Sequence, residues 1–288
     1  MALDLLDRSI FAQISQLAEQ LEGLFEADVL FYSGPIHPAL FRQFRDYVEN
    51  IKQSNDEQDT LAFFVRTGGG SAETAERMVS VLRHYYSEVH FVVPDIAMSA
   101  GTILCMSGDK IYMDYSSSLG PIDPQVQDPS SGEFVPALGY LDKVKELTDK
   151  SELSNADMIM LNGMDLGRLA VFEQARDLSI DLLKKWLVEY KFRNWSTHRT
   201  TKPGQPVTDA EKHKRAEEIA TALTNHHRWR SHGRHLDIRK LAELRIEIDD
   251  YSGDNRLAKP IRDFNDTLTG YIDRNGLPFF TYNHRIGL

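Results

Sequence analysis

Two apolar segments limit the fold more than any other feature of this chain. Leu61-Ala62-Phe63-Phe64-Val65 is an unbroken apolar run, and Val89 to Val93 is a second apolar segment closed by Pro94. A strand with one wet face alternates apolar and polar residues, whereas a continuous run must be covered on both faces, as in a parallel sheet. Between the two segments, Ala72 to Tyr85 has helical character and is long enough for a crossover connection. Strand, helix, strand at this spacing is an α/β pattern.

The same pattern extends in both directions. Val29-Leu30-Phe31-Tyr32 is a short strand closed by Ser33-Gly34-Pro35, and Pro38 to Ile51 follows with Leu40, Phe41, Phe44, Val48 and Ile51 at helical spacing. Lys110 to Met113 is one more short strand. Upstream, Ser9 to Phe25 reads as an amphipathic helix with Ile10, Ile14, Leu17 and Leu21 on one stripe. Downstream the character changes. Asp142 to Lys150, Met164 to Phe192, Asp209 to Leu223 and Leu236 to Leu244 are expected helices, with a Pro- and Gly-bearing loop from Thr197 to Thr208. Thr208 followed three residues later by Glu211 has capping-box spacing.

Chemistry concentrates where the apolar strands stop. After Val65 the chain runs through Thr67-Gly68-Gly69-Gly70 into a helix, exposing backbone N–H groups that suit an anion or a developing oxyanion. It lacks the lysine of a phosphate loop and matches the dinucleotide fingerprint poorly. A plain tight turn is the competing reading. After Val93, Pro94 and a short link lead to Ser99-Ala100-Gly101 and then an apolar helix. That is the logic of a nucleophile elbow, in which a sharp strand-to-helix turn lifts a hydroxyl out of the core. The competing reading is an ordinary serine N-cap. Neighbouring parallel strands end at one edge of a sheet, where ligands of open α/β folds bind, so Gly69 or Gly70 and the amide of Ala100 can converge on one carbonyl oxygen.

Three segments carry a family resemblance: TGGGSAETAERM, then PDIAMSAGTILCMSGDKIYMDYSSSLGPIDPQ, then RWRSHGRHLDIRKLAEL. They resemble the Clp/crotonase superfold, and within it the serine dehydrogenase proteinase family, relatives of signal-peptide peptidase A and of the Clp protease. The resemblance covers roughly residues 28 to 250. It implies an α/β fold of repeated ββα units, with Ser99 as nucleophile and an oxyanion hole from Gly69 or Gly70 with Ala100. It implies a peptide or protein substrate, a homo-oligomer and no cofactor. The resulting layout is an N-terminal helix over 1–27, a Clp-like core over 28–195 and a helical part over 196–288 that completes the core.

A serine hydroxyl needs a base. In the Clp protease a His follows the nucleophile and an Asp comes later. Here Asp123 occupies the first place and His232 falls near the second, so the pair looks exchanged. Triads are defined by geometry, so Ser99, His232 and Asp123 form the favoured set. A Ser–Lys dyad like that of signal-peptide peptidases is the alternative, with Lys143 the nearest lysine on the corresponding helix. Two further readings remain: an acyl-CoA enzyme of the crotonase type, and a scaffold without catalysis.

Composition narrows the partners. The formal net charge is -10, so a generic grip on nucleic acid is not expected. The single cysteine, Cys105, excludes an internal disulfide, and a cytoplasmic setting fits. No apolar run approaches the roughly 20 residues of a membrane span. His226, His227, His232 and His235 invite a metal reading, but adjacent histidines and a glycine at 233 fit poorly, so no metal is expected.

Overall fold

The computed structural model describes residues 5–122, 125–127, 134–163 and 166–286. It is a mixed α/β structure around a sheet of six strands: β1 (Asp28–Ser33), β2 (Thr60–Arg66), β3 (Glu88–Val93), β5 (Lys110–Met113), β9 (Asp249–Asp250) and β10 (Phe280–Tyr282). The order is β10-β1-β2-β3-β5-β9, and only β10 runs antiparallel, against β1. Both faces are covered, as the apolar runs require. Alternate side chains of one strand serve opposite layers: Leu61, Phe63 and Val65 join one apolar cluster, Ala62 and Phe64 the other.

Helices α2 (Pro38–Ser54), α3 (Ala72–Tyr85), α4 (Ala100–Met106), α7 (Leu166–Trp186) and α8 (Asp209–Thr224) contribute to the first cluster. A π-helical segment, Leu187–Lys191, continues α7. On the other face, α1 (Leu5–Phe25) packs along α11 (Asn255–Asn275). Ile14, Ala18 and Leu21 of α1 are fully buried there with Ile261, Phe264 and Leu268 of α11. Thus the first helix lies on the core, one of the roles its apolar stripe allows. The hairpin β7 (Gln125–Gln127) and β8 (Phe134–Pro136) precedes α5 (Ala137–Thr148) and α6 (Asn155–Asn162). Two short helices, α9 (His226–Trp229) and α10 (Ile238–Glu243), follow α8. Among the described residues no helix is long and apolar enough to cross a membrane.

A second, smaller layer stands on the C-terminal edge of the sheet. β4 (Ile96–Ala97) pairs in parallel with β6 (Ser118–Leu119), Thr67 bridges to Ala97, and Leu119 bridges to Leu236. The chain therefore leaves β2 and β3 and immediately re-pairs, which fixes where residues 67–70 and 96–100 lie relative to each other.

Candidate active site

Ser99 sits between β4 and α4 with φ 53° and ψ -117°, one of four non-glycine residues with positive φ among those described. An L-residue in such a conformation is strained by about 1–3 kcal/mol and persists only where the surroundings impose it. Its hydroxyl makes no capping hydrogen bond to α4, so the serine is not an N-cap in the ordinary sense. This is the elbow geometry: the side chain is held half-exposed at the end of a short strand, while every residue of α4 behind it is buried.

The elbow is braced by named contacts. Thr67 N–H donates to the Ile96 carbonyl at 3.0 Å, and Met98 N–H donates to the Thr67 carbonyl at 3.0 Å. The fully buried Thr102 hydroxyl lies 2.8 Å from the Ala97 carbonyl and 2.9 Å from that of Gly120, and accepts from the Gly120 N–H at 2.9 Å. Gly101 lets α4 approach Thr67: a Cβ there would lie 2.4 Å from the threonine methyl.

The glycine triplet has three distinct roles. Gly68 is exposed, with open space where a Cβ would be. Gly69 has φ +104° and lies against the elbow, a Cβ falling 2.8 Å from both the Met98 carbonyl oxygen and Ser99 Cβ. Its N–H, expected as one donor to an oxyanion, instead donates to Thr67 Oγ1 at 3.0 Å. Gly70 has φ +147° and pairs with Ile36: Ile36 N–H donates to Gly69 O, and Ser71 N–H to Ile36 O, both at 2.9 Å. In such a parallel pairing the middle residue's own N–H and C=O face the opposite edge. Gly70 therefore presents its amide away from Ile36. Ala100, first in α4, has no intrahelical acceptor for its N–H. Among the described residues, neither the Gly70 nor the Ala100 amide donates a hydrogen bond.

Around these groups lies a cleft of about 870 Å³. Ser99, Ala100 and the whole triplet line it, with Ile36 and His37 on one side and Ile103 and Ile122 below. His232 lines it too, half-buried, brought in from more than 130 residues downstream in sequence. The segment carrying it is anchored by Leu236, whose N–H donates to Leu119 O at 2.9 Å and whose carbonyl accepts from Leu119 N–H at 3.1 Å. His235 is engaged elsewhere, its Nδ1 lying 2.7 Å from Ser118 Oγ. Asp123 lies outside the described residues. Lys143 stands on the exposed side of α5, where its Nζ meets Glu146 at 2.9 Å, and it does not line the cleft. Lys191 is desolvated, and burial lowers its pKa to about 8, but its Nζ lies 3.4 Å from the Asp109 carbonyl, before β5 and so at the opposite edge of the sheet. Cys105, also on α4, is fully buried, and that burial pushes its thiol far up.

One wall escaped the sequence reading. Ala175, Leu178 and Ser179 of α7 close the cleft from the side. Their i, i+3, i+4 spacing marks a helix face, but nothing in it distinguishes a cleft wall from core. The same holds for Ile36 and His37, whose place follows from the bridge to Gly70.

The model of the ClpP-like SDH-type serine proteinases matches residues 44–203, more than half of the chain. The chain belongs to this family. Ser99, the triplet and the α7 wall all fall inside the matched segment, whereas His232 falls beyond it. Among curated relatives, two uncharacterized proteins of Methanocaldococcus jannaschii are similar. One is 26% identical over 188 residues, covering 65% of this chain and 51% of the relative. The other is 28% identical over 136 residues, covering 47% of this chain and 44% of the relative. The chain thus spans about half the length of the curated relatives it matches. Among solved structures, a serine-to-alanine mutant of the 1510-N membrane-bound stomatin-specific protease is similar at TM-score 0.47 and 15% identity, over 81% of this chain and 82% of that one. A lysine-to-alanine mutant of the same protease, in complex with a substrate peptide, is similar at TM-score 0.34 and 23% identity, over 42% and 57% of the two chains.

Proposed function

We propose that this member of the family cleaves peptides through an acyl-enzyme on Ser99, with His232 as the base. The observation that carries the reading is the strained Ser99 backbone at the mouth of a cleft that also holds the amides of Gly70 and Ala100, neither of which donates to any of the described residues. Ser99 Oγ attacks the scissile carbonyl while His232 takes its proton. The carbonyl oxygen, now negative, accepts from Gly70 and Ala100 N–H. His232 then returns the proton to the leaving amine, and water repeats the cycle to free the enzyme. Asp123 is assigned to orient the imidazole, from its place in the sequence. His232 is favoured over Lys143 because it lines the cleft, while Lys143 is paired on the surface.

An extended peptide fits the edge that Gly70 leaves open, by strand addition, and Ile103, Ile122 and Leu178 supply apolar contact. We place the enzyme in the cytoplasm as a homo-oligomer. Support for assembly comes from α6, which buries none of its residues yet exposes Met158, Ile159 and Met160. Support for the setting comes from the single, buried cysteine.

A fluorophosphonate probe tests the chemistry. The wild-type chain should label at one site, Ser99→Ala should abolish labelling, and His232→Ala should slow it by about 10²-fold or more. Labelling that survives Ser99→Ala would remove the serine from the mechanism. A wild-type chain that never labels, yet is folded, would favour the scaffold or the acyl-CoA reading.

A further inference from the structure

A second cluster of chemistry lies outside the cleft, at the start of the segment that delivers His232. His226 and His227 open α9, and their rings lie 4.0 Å apart between centroids, inclined by 36°. Adjacent residues of a helix point about 100° apart, so two such rings converge only when something draws them together. Here both Nε2 atoms aim at one carboxylate oxygen, Asp142 Oδ2, at 3.0 Å from His226 and 2.8 Å from His227. Asp142 belongs to α5, and the three ligand atoms lie within 4.8 Å of one another.

Both rings can donate an Nε2–H to that oxygen, which has a lone pair for each. Two imidazoles and a carboxylate converging at one point, with Nε2 unprotonated, are equally a ligand set for a borderline divalent ion. A tetrahedral zinc ion with bonds of about 2.0–2.1 Å spaces its ligand atoms by about 3.3 Å. The two nitrogen-to-oxygen spacings, 3.0 and 2.8 Å, therefore need to open by only a few tenths of an ångström. The supporting elements are fixed. Trp229 Nε1 donates to the Ala222 carbonyl at 2.7 Å, and Asn225 caps α9 through Arg228 N–H at 2.9 Å. On the other side Leu138 and Leu147, near the two ends of α5, are buried. Arg176, whose charge also feels Asp142, is held by Asp177 at 2.8 Å.

We propose that Asp142, His226 and His227 bind one divalent ion of the zinc class, with water completing its shell, and that the bound ion clamps α5 to the segment leading to His232. The proposal is independent of the peptidase reading, because none of the three ligands lines the cleft.

Titration of the full chain with zinc, read by calorimetry and by metal content after dialysis, tests it. One equivalent should bind to the wild type, and His227→Ala and Asp142→Asn should each weaken binding by about ten-fold or more. His227 is largely exposed, at 76%, so its loss does not threaten the fold. His213→Ala, on the exposed side of α8, should bind as wild type does. Cobalt should give visible absorption that His227→Ala loses, and zinc should slow amide exchange across residues 226–236. A wild-type chain that holds no zinc, or variants that hold as much as the wild type, would overturn the site. Unchanged exchange with zinc bound would overturn the clamp.

Discussion

Replacing the three glycines one at a time by alanine separates a tight turn from a built oxyanion site. At Gly69 the new Cβ would stand 2.8 Å from the Met98 carbonyl oxygen and from Ser99 Cβ. Ordinary contact needs about half an ångström more, and overpacking of that kind costs about 1–3 kcal/mol. Holding φ +104° with a side chain adds about 1–3 kcal/mol of backbone strain. The sum, about 2–6 kcal/mol, is a large part of a typical stability of about 5–15 kcal/mol. What does yield is the elbow, and displacements approaching an ångström cost about 10²-fold in rate. At Gly70 the Cβ would fall 2.1 Å from Ile36 O, so the Ile36 bridge and its two hydrogen bonds must open. Each is worth about 0.5–1.5 kcal/mol. Gly68 has open space and no positive φ. Alanine there should leave stability unchanged or raise it by about 0.4–1 kcal/mol through the unfolded chain. Urea unfolding and fluorophosphonate labelling rates measure both effects on each variant. The reasoning fails if Gly68→Ala is as damaging as Gly69→Ala, or if Gly69→Ala unfolds and labels like the wild type.

Three further outcomes are expected. Ser99→Gly should be inactive yet more stable than Ser99→Ala by about 1 kcal/mol, since only glycine relieves a strain of about 1–3 kcal/mol; equal urea midpoints would deny the strain. Thr102→Val should cost about 1–3 kcal/mol and slow labelling, because it strands the buried Gly120 amide and the Ala97 carbonyl; a neutral result would show that the elbow does not depend on that hydroxyl. In the capping box of α8, the Thr208 backbone N–H, then Lys202 and the Thr208 hydroxyl, lower the Glu211 carboxyl to about 2. A carboxyl depressed on folding stabilises the chain above its unfolded value near 4.5 and loses that contribution as pH falls toward about 2. Glu211→Gln should therefore lose less stability than the wild type between those values, read by thermal melting; parallel acid limbs would contradict it.

What was legible in the sequence was local. The covered strands announced themselves because a residue buried on either face must be apolar, and Phe63 and Phe64 do face opposite layers. The Thr208–Glu211 cap was legible because its hydrogen bonds span three residues. Ser99 stood out because small residues flank it after a strand. Helix α11 was not read, although Leu257, Ile261, Phe264, Leu268 and Ile272 keep helical spacing. Pro260 looks like a breaker, yet within a helix of 21 residues it forfeits a single hydrogen bond, which burial of Ile261, Phe264 and Leu268 outweighs. The split duties of the triplet were also invisible. Three identical glycines differ only in what lies opposite them: solvent, the elbow and Ile36.

The strands that gather the site are too short to read at all, and that shortness has a consequence for the chemistry. β4 and β6 have two residues each, and Leu236 is a lone bridge. Together they make one ladder: Thr67 to Ala97, Ile96 to Ser118, Leu119 to Leu236. Its first rung sets the glycines against Ser99, and its last holds the segment of His232. No rung has the redundancy of a long strand, so each depends on packing around it, such as the buried Leu119 and Leu236 side chains. The proposed nucleophile, oxyanion donors and base therefore share a single line of hydrogen bonds. A lesion at any rung should reach all three, and its effects should combine less than additively with those of another rung.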